Sequence, residues 1–117
     1  MWIMTNKGFV SVVRHRTEVD KLMICAREKS HLTSLLPDYM HDQIYSIPFS
    51  DYAYRINVLD DHFAMIINKM IIDIEYDEFK KSVKNNKLSD FYLHVWDLGV
   101  KYFGFGPKEI IEKKTGE

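Results

Sequence analysis

The chain predicts an α+β fold, a mostly antiparallel sheet with helices on one face. The nearest named arrangement is a ferredoxin-like variant with an extra N-terminal strand and extra C-terminal helices. Three observations predict it. In Tyr52–Val58 the residues Tyr54, Ile56 and Val58 alternate with Ala53, Arg55 and Asn57, the period of a half-buried strand. The period then turns helical, with Phe63, Ile66, Ile67, Met70, Ile71 and Ile74 on one stripe. Strand-like runs dominate the first half of the chain and helical runs the second.

Met1–Thr5 and Gly8–Arg14 read as two strands joined by a short turn at Asn6, Lys7 and Gly8, the length and glycine placement of a bulged hairpin. Thr17–Lys21 is a polar link to a third strand over Leu22–Ala26. Lys29–Leu36 is a short helix with Leu32, Leu35 and Leu36 inward, stopped ahead of Pro37. A brief strand is expected at Gln43–Ser46, and Ile47–Asp51 is the loop before the strong strand. Asp60 is placed as the N-cap of the long helix that runs to Ile74. Tyr76–Val83 has the spacing of a second short helix, and Lys84–Lys87 that of a turn. Ser89 is placed as the cap of the last helix, whose apolar face is Phe91, Tyr92, Val95, Trp96, Leu98 and Tyr102, with Gly104 ending it. Residues 1–104 then form one domain and 105–117 a tail rich in Gly, Pro, Lys and Glu. Because Ala64, Met65 and Ile72 lie off the long helix's stripe, a second layer must cover them. Trp96 of the last helix is expected to do so, Gly99 letting the helices approach; a second copy of the chain, making a homodimer, is the competing cover.

At 117 residues, 46% hydrophobic and 28% charged, the composition is that of a globular domain able to build a core without staples. The single Cys25 lies in an apolar strand and reads as a buried thiol in a reducing compartment. Four apolar residues at Met1–Met4 fall far short of a signal peptide, and no apolar run approaches the roughly 18 residues of a membrane span. A cytoplasmic protein without membrane association is expected. Net charge is −1, but residues 37–78 carry nine acids against Arg55 and Lys69. On one surface that block favours a basic partner and repels nucleic acid; interleaved by the fold, it is neutralised by the basic ends of the chain.

Candidate chemistry is sparse. The five histidines include no HxH or HxxxH pair and there is no second cysteine, so no metal is expected. Asp90 and His94 stand i, i+4, as a carboxylate and a base would, but also as an ordinary surface pair. Asp73 with Asp77, and Glu75 with Glu78, fall where capping explains them. No glycine-rich loop precedes a helix, so no nucleotide cofactor is expected, and no catalytic residue stands out. Arginines give the one defensible constellation. Arg14, Arg27 and Arg55 each belong to a different strand, with His15 at the rim and Tyr52 or Tyr54 available to stack. Converging on the uncovered sheet face, they would bind an anion; paired across strands with acids, they would be structural.

The N-terminal run from Met1 through His15, with Arg27, the Asp51–Arg55 motif, Ile74–Lys80 and Tyr92–Trp96, resembles a family of small uncharacterised bacterial and bacteriophage proteins over residues 1–103. The resemblance supplies no activity and no catalytic residues. It implies an accessory role such as modulating a host defence system. The expected function is therefore a non-enzymatic protein that acts by binding an unidentified protein partner. Nucleic-acid binding through the arginine and tyrosine face is the alternative, and a small-anion or nucleotide-ligand pocket a second.

Overall fold

The structure, a computed structural model, describes residues 1–106, so the expected tail from 107 on lies outside the described residues. Strands β1 (Trp2–Thr5), β2 (Gly8–Arg14) and β3 (Lys21–Ala26) form a meander. Helix α1 (Lys29–Thr33), a 3-10 segment (Asp38–Gln43) and β4 (Tyr45–Ser46) follow. Strand β5 (Tyr54–Leu59) runs directly into α2 (Asp60–Ile72), and α3 (Phe79–Ser82) and α4 (Asn86–Phe103) end the described chain. The sheet order is β1-β2-β3-β5-β4, antiparallel throughout. The α+β class stands as the sequence predicts. The ferredoxin-like detail is not confirmed: its split β-α-β unit joins two like-directed strands with a third between them, whereas β3 and β5, on either side of α1, are antiparallel neighbours.

Register explains the main core. Val10 and Val12, Ile24 and Ala26, and Ile56 and Val58 come into line on one face and meet Leu32, Leu36, Met40 and Phe63 from above. Each such side chain, fully buried, contributes about 1.5–3 kcal/mol. The alternation of β5 was legible in the sequence and so was its inward set. Helix α2 begins one residue earlier than expected. Asp60 is its first helical residue rather than its cap, and its carboxylate accepts from Arg14 Nη1 at 2.7 Å, which holds it below the usual carboxylate range. Likewise α4 starts three residues before Ser89: Asn85 is the cap, its Oδ1 accepting from Leu88 N at 2.9 Å.

A second core lies at the hairpin end of the sheet, where Phe9, Val83, Leu88 and Tyr92 pack with Tyr52 and Phe79. Its anchor is the Tyr92 hydroxyl, which lies 2.8 Å from both the Thr5 and Gly8 carbonyl oxygens and donates into them. The turn is a two-residue loop, Asn6 and Lys7, with Thr5 Oγ1 accepting from Lys7 N and Gly8 N. It has no bulge, and Gly8 is not there for a left-handed backbone. It is required because α1 lies on top of it: a Cβ at position 8 would stand 2.7 Å from His31 Cα and Cβ. His31 Nδ1 in turn accepts from Phe9 N at 3.3 Å.

Two outcomes follow from this corner. Gly8→Ala forces α1 off the sheet and costs about 1–3 kcal/mol in urea unfolding, whereas exposed Lys7→Ala stays within about 0.5 kcal/mol. Burial pushes the Tyr92 phenol well above its ordinary value of 10. The folded state therefore holds that proton more tightly than the unfolded state. The stability it contributes is complete below pH 10 and is lost as pH rises toward the folded value, so unfolding midpoints decline above pH 10. In Tyr92→Phe that alkaline decline is reduced, on a baseline lower by about 1–2 kcal/mol for the lost donor.

Candidate functional site

The strand register separates the arginines. Arg14 pairs with Leu22 and shares the helix-covered face of Val10 and Val12; beyond Asp60 it donates to the Val19 carbonyl at 3.0 Å. Arg55 lies on the opposite, open face beside Cys25. Its three nitrogens are engaged by Tyr52 O at 3.1 Å, Ser50 Oγ at 2.7 Å and Met23 Sδ at 3.7 Å, which ties the Ile47–Asp51 loop to the sheet. Arg27 caps the Tyr52 ring at 5.1 Å. Tyr54 points into the main core, away from Arg55. His15 Nδ1 accepts from Thr17 N and Glu18 N and organises the β2–β3 link. Arg27, Tyr52 and Arg55 are thus neighbours, while Arg14, His15 and Tyr54 are elsewhere.

Arg27 lines a cavity. A cleft of about 220 Å3 has Phe9, Leu88 and Phe91 as its floor, with Arg27, His31 and the Glu28–Lys87 ion pair around it. It is smaller than the roughly 300–1,000 Å3 of pockets that enclose a small ligand.

A larger concavity runs along the outer edge of β1. This groove of about 1020 Å3 is bounded by Ile3 and Met4, by Leu35 of the segment after α1, and by Ile66, Met70 and Ile71 of α2. Met1 and Val12 exchange both backbone hydrogen bonds, at 2.7 and 2.8 Å. The alternation of an antiparallel ladder then turns the N–H and C=O groups of Trp2 and Met4 outward, away from β2. Acids (Asp73, Glu75, Asp77, Glu78) and lysines (Lys7, Lys69, Lys81, Lys84) both border the groove. The acidic middle of the sequence is therefore interleaved with basic residues at this place.

The third feature is α4. The expected packing of Trp96 on Met65 or Ile72 of α2 is not found. Trp96 is 46% exposed, its ring contacts Phe105 and Lys80 Nζ, and Met65 and Ile72 are 70% and 72% exposed. The physical reason is the anchor: Leu88 and Tyr92 fix the first two turns of α4 at the hairpin end of the sheet, and the remainder projects from there. On the projecting part Tyr102, Phe103 and Phe105 are 75%, 88% and 76% exposed. Among the described residues no helix is long and apolar enough to cross a membrane.

Comparison with protein-family models, with curated proteins and with solved structures gives no match. The site reading therefore rests on geometry. Sequence reasoning missed the groove, although one signal was available: Trp2, Ile3 and Met4 form an edge strand without the lysine, proline or bulge that usually protects one.

Cys25 is buried against Arg55 on the open face, and burial pushes its thiol above the ordinary value despite that cation. A thiol reagent at neutral pH is expected to modify native Cys25 at least about a hundredfold more slowly than the denatured chain. Arg55→Ala, which removes part of its cover, increases the native rate.

Proposed function

We propose that this chain is a non-enzymatic protein-binding module that captures an extended segment of a protein partner along the outer edge of β1. The observation that carries the reading is the groove. An unpaired strand edge lies beside walls of Leu35, Ile66, Met70 and Ile71, with enough volume for a further strand. Strand addition draws affinity from main-chain hydrogen bonds, here to Trp2 and Met4, and selectivity from alternate side chains that enter the apolar wall. Charges of both signs at the rim favour a partner segment with an apolar repeat over a strongly charged polymer. The nucleic-acid alternative draws less support, because Arg14 and Tyr54 lie away from Arg27 and Arg55 and two of the arginines are already occupied. A host protein as the partner is compatible with the resemblance of the N-terminal sequence.

The test is selection from a random peptide library, followed by affinity measurement. Enriched peptides should alternate apolar and polar residues. Met4→Pro removes an outward N–H that makes no ladder bond, so the sheet survives it. That variant is expected to weaken the selected peptides at least tenfold with an unchanged circular dichroism spectrum, and Ile71→Lys, on the facing wall, weakens them too. Enrichment of no peptide, or binding indifferent to Met4→Pro, overturns the reading.

A further inference from the structure

We propose that the projecting half of α4 is the interface of a two-fold dimer, its occupant being the α4 of a second copy of this chain. The inference concerns a surface separate from the β1 groove. Along α4 the polar residues Asp90, His94, Asp97 and Lys101 fall on one stripe at helical spacing. The rest of the circumference is apolar, an arc wider than half the helix, of which only the part at Leu88 and Tyr92 is covered. Trp96, Tyr102, Phe103 and Phe105 together leave on the order of 600 Å2 of side chain in water, taking about 150–250 Å2 for a whole aromatic side chain. That is at the upper end of the largest apolar patch of a typical monomer, roughly 300–600 Å2. It approaches the roughly 800 Å2 that each partner contributes to a standard interface.

Gly99 supplies a second, independent observation. It sits within the apolar arc, flanked by Trp96, Val95 and Phe103, and a Cβ built on it meets nothing within 4 Å. A glycine in the middle of a helix weakens it, and among the described residues nothing approaches the space it leaves. A missing side chain of this kind lets another helix backbone come close. One copy carries the notch at Gly99 and the protruding Trp96 and Phe103 on the same face, so two copies related by a two-fold axis present notch to knob in both directions. Such self-complementarity is what an isologous interface requires.

Solution mass across a dilution series of the full chain tests this, with the thermal midpoint measured at each concentration. The expected result is twice the 13.9 kDa chain mass at micromolar concentration, with a midpoint that rises with concentration. Gly99→Gln is the deciding variant. Helix propensity favours it in the monomer and its side chain blocks the crossing, so helical content is kept or increased while dimer dissociation is at least tenfold easier. Phe103→Glu, one turn from Gly99 on the same face, gives the same loss. Wild-type chain that stays at 13.9 kDa throughout, or that forms an open-ended assembly, overturns the proposal. So does a dimer that both variants leave intact. Peptide capture in Gly99→Gln, and dimer mass in Met4→Pro, should each be unchanged, so failure of this proposal and failure of the β1 groove reading are distinguishable.

Discussion

Everything in this fold is hung on the close approach of α1 to the β1–β2 turn. His31 sits on Gly8 so tightly that no side chain fits there, and the same histidine accepts the Phe9 N–H. From the other side the Tyr92 hydroxyl engages the Thr5 and Gly8 carbonyls. Four residues of one turn therefore meet a helix from each half of the chain. The contact joins the two cores, since Val10 belongs to the main one and Phe9, its neighbour on the opposite face, to the second. It also sets where α4 starts and, because a helix is stiff over its length, where α4 must point.

Legibility of the sequence tracks the range of the interactions involved. The alternation of β5 and the stripe of α2 are local periodicities; β5 appears where the pattern puts it, while α2 buries Phe63 and half-buries Ile66, Ile67 and Met70, leaves Ile71 exposed and ends at Ile72, short of Ile74. Caps were less legible: Asp60 is claimed by Arg14 from a strand distant in sequence, and Asn85 caps α4 four residues before Ser89. Convergence of the arginines depended on register, and one residue of register moves a side chain to the other face. Arg14 opposite Leu22 and Arg55 opposite Cys25 fall on different faces for that reason alone. The placement of Trp96 was the least legible of all. Its apolar face was correctly read as needing cover, but composition cannot say whether that cover comes from the same chain.

Charge follows the same logic. A block of nine acids over residues 37–78 looks like one acidic surface in the linear sequence. In the fold Asp60 is matched by Arg14, Asp73 by Lys69 and Glu78 by Lys81, and the acids at 73–78 share the rim of the β1 groove with lysines from three other segments. These pairs are exposed, and each contributes little to stability. Their effect is to keep the rim close to neutral and leave the groove's apolar walls to decide what enters.

The projecting half of α4 is where the physical argument leads furthest from the isolated chain. An 18-residue helix is marginal in water by itself, and most helices draw their stability from the face they bury. Here burial covers the first two turns, at Leu88 and Tyr92, and stops. Beyond them, among the described residues, Lys80 and Phe105 pack against Trp96, and Gly99 lowers the helix's intrinsic stability further. The outer turns are thus the low-stability end of the molecule, the place where local opening costs least. A surface that is both the most apolar and the least supported gains twice from being covered: apolar area leaves water, and helix that would otherwise fray is held. Among the described residues, packing supplies neither gain, because the Tyr92 anchor that fixes the direction of α4 also carries it away from the exposed faces of α2.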